Sequence, residues 1–190
     1  MAKSFFADAN TAILVNNVAF ADAISATNIS QGEAPILYTQ ANRLLPETRA
    51  ILQTIHPKQI GWQSLRQPHG TKTAGKPDAK HAQRFNGANR YEVAAKVASS
   101  YFSTAKVGMV ASGEVFSDAL VAAPLSQKLN APILLVQKTN LGQSIEAYLK
   151  SNKAISLLHV LGGENTVASS VLTKLGEFGR PSNTTMPIVR

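Results

Sequence analysis

The sequence predicts an α/β protein made of tandem Rossmann-like or Toprim-like three-layer units, each with a mostly parallel sheet between helices. Apolar residues make up 44% of the 190 residues and aromatic residues only 6%, a balance typical of helices packed on parallel strands. Short apolar runs alternate with stretches of helical spacing. The same alternation occurs twice along the chain, which predicts a repeat.

The repeat rests on a nearly constant spacing between matching residues. Phe20 matches Phe116 and Asp22 matches Asp118, both at an offset of 96. The segment Ala-Pro-Ile-Leu that begins at Ala34 recurs at an offset of 97, so the second copy has one additional residue in its intervening helix. We therefore expect two copies of one strand–helix–strand–helix unit.

Each predicted element follows from local pattern. In the first copy the elements alternate strand, helix, strand, helix, strand: Ala12–Val15, Asp22–Ser30, Pro35–Leu37, Pro46–Thr54 and Lys58–Trp62. The second copy is longer and begins and ends with a helix: Arg90–Phe102, Val107–Ala111, Asp118–Leu129, Pro132–Val136, Leu141–Lys150, Ile155–Leu161 and Val167–Leu175. An aspartate near the start of the helix after the first strand of each copy predicts a cap on free N–H groups.

These elements divide the chain into four predicted segments. Residues 1–62 form a divergent repeat that lacks its N-terminal part, and residues 84–177 form a complete repeat. Residues 63–83 are polar and aperiodic, with two prolines and two glycines, and are predicted to be a basic linker or long loop. Residues 178–190 are predicted to be a C-terminal tail.

Positive charge is concentrated in the middle of the chain. Residues 41–106 contain eleven Lys and Arg against three Asp and Glu, so the whole formal net charge of +8 falls there. Such a field favours a polyanionic partner, although a basic surface that only aids solubility is an equal alternative. Lys72, Lys76 and Lys80 are the best electrostatic candidates, and binding through them should weaken with salt.

Five short motifs mark the second copy. In order they are Arg84-Phe85-Asn86-Gly87-Ala88-Asn89-Arg90-Tyr91, Val110-Ala111-Ser112-Gly113 with Phe116-Ser117-Asp118-Ala119, Ala123-Pro124-Leu125, Ala131-Pro132-Ile133-Leu134-Leu135, and Val160-Leu161-Gly162-Gly163. Together they resemble the bacterial cell wall-binding type 2 repeat of Gram-positive surface proteins, over residues 84–175. Residues 12–60 are similar to a more divergent copy. Val93 departs from the family pattern, which usually has threonine there.

The resemblance implies a non-catalytic module that anchors a surface or secreted protein to anionic envelope polymers, secondary wall polysaccharide or teichoic acid. The implied location is extracellular, at the cell wall, although the first residues of this chain are not those of a signal peptide. The family usually carries three copies and a separate effector domain, whereas this sequence contains two copies. Either the chain self-associates as a homo-oligomer through repeat surfaces, or it is a fragment of a longer protein.

Two sets of residues are candidates for binding or for the structure of the repeat. The candidate ligand-binding residues are Arg84, Arg90, Lys72, Lys76, Lys80, Ser112 and Gly113, because guanidinium groups and turns before helices suit oxyanions. The candidate structural residues of the repeat motif are Asp22, Asp118, Gly87, Tyr91, Pro132, Gly162 and Gly163. For Arg84 and Arg90 a structural role within the repeat is a further alternative.

No catalytic residue, cofactor or metal site is predicted. The chain has no cysteine, its four histidines lack metal-ligand spacing, and its glycines match neither a P-loop nor a dinucleotide fingerprint. The main alternative function is a cytosolic basic α/β protein that binds a nucleotide or nucleic acid. We nevertheless expect no nucleic acid partner and no membrane insertion, because interleaved aromatic residues and a long apolar run are absent.

Overall fold

The computed structural model describes residues 6, 8–40, 43–65 and 81–178, and it confirms the predicted α/β class. The chain divides into two compact units, residues 1–89 and residues 90–190. Every strand pair in the described residues is parallel. None of the helices described there is long and apolar enough to cross a membrane.

The first unit is a four-stranded sheet with a helix on each face. Its strands stand in the order β2-β1-β3-β4. The elements are β1 (Thr11–Asn16), α1 (Phe20–Ser30), β2 (Ile36–Thr39), α2 (Pro46–Ile55), β3 (Gln59–Leu65) and β4 (His81–Gly87). Successive residues of β1 face opposite sides, so Ile13 and Val15 pack against α1 while Ala12 and Leu14 pack with α2.

The second unit repeats this plan with a three-stranded sheet. Its strands stand in the order β6-β5-β7. The elements are α3 (Arg90–Tyr101), β5 (Val107–Ser112), α4 (Phe116–Leu129), β6 (Ile133–Val136), α5 (Gln143–Ser151), β7 (Leu157–Leu161) and α6 (Ser169–Gly176).

The central strands of the second unit are buried on both faces. Val110 and Leu134 belong to the apolar cluster that includes residues of α3, α5 and α6. The alternate residues Met109 and Ala111 are also fully buried, on the face against which α4 packs. Val93, the departure from the family pattern, is buried on α3, where an apolar side chain of threonine's shape fits.

Strand β4 differs from the prediction for this region. Residues 63–83 were expected to be a linker, but β3 continues to Leu65 and β4 begins at His81. The division between units falls after Asn89, so the Arg84–Gly87 end of β4 belongs to the first sheet. The reason is that β4 pairs with β3 over seven residues, and such pairing depends on a neighbour distant in sequence. Residues 66–80 lie outside the described residues.

The repeat recurs in the structure as a buried hydrogen bond. Ser30, at the end of α1, donates through Oγ to the carbonyl oxygen of Ala34 at 2.7 Å. Ser126 donates in the same way to Ala131, also at 2.7 Å. Both serines are buried, and both bonds connect the helix to the residue pair that leads into the next strand. The additional residue of the second copy lies between its serine and alanine, because α4 continues to Leu129.

We expect Ser30→Ala and Ser126→Ala to destabilise the protein by similar amounts. Each removes the donor for a buried carbonyl, which should lower the free energy of unfolding by about 1–2 kcal/mol. Urea denaturation followed by circular dichroism measures the loss. Ser151→Ala is the control, because Ser151 makes a similar bond to Tyr148 from an exposed position and should change stability by less than about 0.5 kcal/mol. If either substitution leaves the free energy of unfolding unchanged, the two hydrogen bonds are not equivalent and the prediction is wrong.

Candidate functional site

The candidate site lies at the carboxyl edge of the second sheet. The loop after β5 leads to α4 on one face, while the loop after β7 leads to α6, which packs on the other. Two adjacent parallel strands whose following loops leave in opposite directions form a crevice at their carboxyl ends, where open α/β sheets bind ligands. Residues 112–114 and 162–164 belong to these two loops, and we call this place the switch-point edge.

The loop after β5 is closed by Ser112. This residue is fully buried, and its Oγ accepts hydrogen bonds from the backbone N–H groups of Glu114 at 3.1 Å and Val115 at 3.3 Å. The same bond exists in the first unit, where Asn16 Oδ1 accepts from the N–H of Val18 at 3.2 Å. Serine and asparagine therefore perform one turn-forming role at equivalent positions.

The Arg90–Tyr91 pair packs on the glycine of that loop. Arg90 donates from Nη1 to the carbonyl oxygen of Gly113. A Cβ on Gly113 would lie 2.5 Å from Tyr91 Cε1 and 3.2 Å from Arg90 Cδ, so a side chain at this position would displace the pair. Burial raises the pKa of the Tyr91 phenol and the Glu114 carboxylate raises it further, while the Arg90 guanidinium lowers it. These contacts explain why Arg90 and Tyr91 of the first motif occur together with Gly113 of the second.

The two equivalent aspartates lie within the first turn of their helices, after the N-cap position. The residues at the N-cap positions are Ala19 and Val115, and neither makes a side-chain capping bond. Asp22 and Asp118 instead occupy the first helical turn, where a negative charge still favours the helix dipole. The aspartates are therefore not the N-cap residues, because each helix begins two residues before its aspartate.

Asp118 lies against the first glycine of the Gly162–Gly163 pair. A Cβ on Gly162 would overlap the Asp118 carboxylate and the Thr166 hydroxyl. Gly162 also has a φ of 116°, a conformation that side chains rarely adopt. Within the described residues Asp118 Oδ2 is buried without a hydrogen-bond partner. The glycine therefore provides the space in which the carboxylate sits between α4 and β7.

Glu164 and Ser169 complete the edge, and sequence reasoning did not select them. Ser169 donates from Oγ to Glu164 Oε1 at 2.8 Å, and its backbone N–H donates to the same oxygen at 3.3 Å. The hydrogen bonds from Ser169 lower the pKa of the exposed Glu164 carboxyl. The position of Glu164 directly after the glycine pair was the signal that could have identified it.

Most of the other candidate residues lie away from the switch-point edge or outside the described residues. Gly87 ends β4 opposite Leu65, and the Pro132 carbonyl accepts from the Met109 N–H at 2.8 Å, so both lie at sheet junctions. Arg84 lies opposite Trp62 in the β3–β4 pairing. Lys72, Lys76 and Lys80 lie outside the described residues. The structure brings Arg90, Ser112 and Gly113 together, and their role toward a ligand stays a prediction.

A family model named cell wall binding domain 2 matches residues 84–172. Residues 84–172 are a cell wall binding domain 2. The match begins at Arg84 within β4 and ends within α6, and it contains the whole switch-point edge. The resemblance predicted from the five motifs is thereby confirmed.

Curated relatives carry similar sequences. N-acetylmuramoyl-L-alanine amidase LytC of Bacillus subtilis (strain 168) is 32% identical over 178 residues, which cover 92% of this chain and 36% of the relative. The amidase enhancer of the same organism is 32% identical over 96 residues, which cover 50% of this chain and 14% of the relative. The chain thus spans only a minor part of each relative's length.

Solved structures support the fold of the cell wall binding domain. Cwp8 from Clostridium difficile superposes with a TM-score of 0.77 at 24% identity, over 94% of this chain and 31% of that one. Cwp6 from Clostridium difficile superposes with a TM-score of 0.74 at 20% identity, over 90% of this chain and 28% of that one. Both superpositions cover nearly the whole chain, so the α/β fold has counterparts in solved proteins.

Proposed function

We propose that this chain is a non-catalytic wall-anchoring module that binds anionic polymers of a Gram-positive envelope, secondary wall polysaccharide or teichoic acid. The observation that carries the proposal is the match of residues 84–172 to the cell wall binding domain 2. The proposed location is extracellular, on the wall. Any effector activity would belong to another part of the full protein.

The distribution of similarity supports a binding role. The chain is similar to part of an amidase and to part of an amidase enhancer, two proteins whose names describe different actions. A segment common to both proteins is expected to have a role that both share, and the proposed role is binding to the cell wall. In each relative the similar part is a minor fraction of the length, so most of each protein lies outside it.

The geometry of the switch-point edge also supports a binding role over a catalytic one. The polar groups of the motifs are engaged in contacts that shape the loops: Ser112 Oγ accepts two backbone N–H groups and Arg90 donates to Gly113. The Asp118 carboxylate is packed against Gly162. Groups held in this way fix the shape of the loops. A general acid or base instead has to reach a proton of the substrate.

The positive middle of the chain is the proposed source of affinity. Lys72, Lys76 and Lys80 carry charge that the motifs do not use, and a polyanion is held by such charge in a salt-dependent way. Ligand contacts from Arg84 and Arg90 are part of the same proposal, in which the buried Ser112 and Gly113, predicted as ligand-binding residues, shape the loop beside Arg90. Homo-oligomerisation through the repeat surfaces is a separate proposal.

We expect the protein to sediment with purified Gram-positive walls, and to do so less after removal of their anionic polymers or in high salt. The variant Lys72→Gln/Lys76→Gln/Lys80→Gln should bind more weakly, because it removes three charges from the basic region. Sedimented protein is quantified at several salt concentrations. The matched control is Lys128→Gln/Lys138→Gln/Lys153→Gln, which removes the same charge from exposed positions outside that region. Equal binding to stripped and intact walls contradicts the polymer assignment.

A further inference from the structure

Asparagine precedes glycine once in the sequence, at Asn86–Gly87. This pair ends β4, and residues 88–89 form a bend before α3 begins at Arg90. The Asn86 side chain is exposed, whereas its neighbour Phe85 is only 4% exposed, because successive residues of a strand point to opposite faces. The side-chain amide of Asn86 therefore lies in contact with water at the end of a strand.

The backbone of this pair lies at the last positions of a strand ladder. Among the described strands, β4 is the outermost of its sheet and pairs with β3 alone. Asn86 and Gly87 pair with Ser64 and Leu65, where that ladder ends. Strand ends open locally at little cost in free energy, and glycine adopts the widest range of backbone conformations. The Asn86–Gly87 peptide can therefore leave the extended conformation while the rest of β4 stays paired.

Other asparagines of the described residues lack this combination of exposure and a following glycine. Asn28 and Asn152 are buried, at 2% and 4% exposure. Asn130 and Asn140 are exposed but precede alanine and leucine, whose side chains crowd the backbone nitrogen that follows the asparagine. At Asn86 the following nitrogen belongs to glycine, so no Cβ hinders its approach to the side-chain amide.

We propose that Asn86 is a self-modification site, at which the folded protein deamidates without an enzyme. The backbone nitrogen of Gly87, after losing its proton, attacks Cγ of Asn86. The N–Cγ bond forms, the Cγ–Nδ2 bond breaks, and the side-chain nitrogen takes up a proton and leaves as ammonia. Water then opens the five-membered succinimide. Cleavage of the N–Cγ bond gives aspartate, and cleavage between the nitrogen and the backbone carbonyl carbon gives isoaspartate. Neither step needs an oxidant or a reductant.

Both products place a carboxylate in the basic part of the chain. The new charge lies between Arg84 and Arg90 in the sequence, and as a fourth acidic residue it lowers the formal charge of residues 41–106 from +8 to +7. Isoaspartate also adds one carbon to the main chain, which moves Gly87 out of register with Leu65. Both changes weaken attachment to a polyanion, so the hold of the module on the wall declines with its age. This consequence rests on the proposed function, whereas the reaction does not.

Mass spectrometry of the aged full chain measures the reaction. Trypsin releases residues 85–90 as one peptide, and a sample digested without ageing gives the baseline. We expect the mass change from amide to carboxyl at Asn86, faster as pH rises because hydroxide removes the Gly87 N–H proton. Asn89 is the control within the same peptide and should convert at least about tenfold more slowly, because arginine follows it. An isoaspartate-specific methyltransferase detects the isomer.

Gly87→Ala tests the requirement for glycine. The φ of Gly87 lies outside the positive region, so alanine fits the backbone, and its Cβ should slow conversion of Asn86 by about tenfold or more. Conversion at an unchanged rate in this variant, or no faster at Asn86 than at Asn89, overturns the proposal. A rate in the folded chain more than about a hundredfold below that of a synthetic peptide of residues 85–90 shows that the fold locks the strand end, and overturns it too.

Wall sedimentation tests the consequence for attachment. The variant Asn86→Asp and the aged unmodified chain should both release purified Gram-positive walls at lower salt than the fresh chain. Asn86→Gln is the matched control, because it keeps the amide neutral and should show no change on ageing. Equal salt dependence of Asn86→Asp and Asn86→Gln overturns the loss of attachment. Failure of every form to bind walls overturns the proposed function instead, while the mass measurement still decides the reaction.

Discussion

Gly162→Ala should be among the most destabilising single substitutions in the second unit. Its φ of 116° is strained for any side chain, and the added Cβ would overlap the Asp118 carboxylate and the Thr166 hydroxyl. Strain of this kind costs about 1–3 kcal/mol and overpacking a similar amount, so the free energy of unfolding should fall by about 3–5 kcal/mol. Urea denaturation monitored by circular dichroism gives the loss.

The neighbouring glycine provides a matched control. A Cβ on Gly163 would meet nothing within 4 Å, and its φ lies outside the positive region. Gly163→Ala should therefore be neutral or stabilise by up to about 1 kcal/mol, because alanine restricts the unfolded chain. Comparing the stability of the two variants distinguishes a specific requirement for space and positive φ at position 162 from a general requirement for flexible glycines in this turn. Equal losses at the two positions argue against the role given to the Asp118–Gly162 contact.

Asn152→Asp should have an effect of similar size, through a buried hydrogen-bond network. Asn152 Nδ2 donates to the carbonyl oxygens of Phe102 and Ala105 and approaches Tyr148 Oη, each at 3.1 Å. Tyr148 Oη donates in turn to Phe102 at 2.7 Å. A carboxylate at this buried position would face two carbonyl oxygens without a proton to offer. Removing one partner of a buried polar network and leaving a charge there costs about 3–5 kcal/mol.

The network connects the end of α5 to the loop after α3, so its loss should loosen the second unit. Burial raises the pKa of Tyr148, which keeps the phenol protonated as a donor, although its hydrogen bond with Asn152 lowers that pKa. The destabilisation should shrink as pH falls, because a protonated carboxyl regains one donor. Asn140→Asp is the control, because Asn140 is exposed and its Oδ1, which aspartate retains, accepts from the Gly142 N–H at 2.9 Å. Stability of Asn152→Asp within about 0.5 kcal/mol of this control contradicts the network's importance.

Asp22 and Asp118 show how much of the structure their sequence spacing could predict. Their spacing correctly indicated equivalent helices in two copies, and both helices exist. The aspartates are not at the N-cap position, because the helices begin earlier, at Phe20 and Phe116. The position of a helix's first residue depends on how the preceding loop is held, and Ser112 holds one of those loops with its side-chain oxygen.

The role of Arg90 was likewise left open by the sequence. An arginine beside a glycine fits an oxyanion site and a structural contact equally well. The structure shows the donation from Arg90 to Gly113, a residue 23 positions away, and the packing of Tyr91 on the same glycine. No local pattern encodes a contact between residues so far apart.

The sequence by itself determined the fold class, the order of elements within each copy and the family. A strand of a parallel sheet is buried on both faces and therefore has a continuous apolar sequence, as Val107–Ser112 does. Such strands can be predicted from the sequence pattern alone. Only the tertiary structure decided that His81–Gly87 is a strand of the first sheet. The physical reason is that β4 is polar apart from Ala82 and Phe85, and a strand of that composition is defined by the partner with which it pairs.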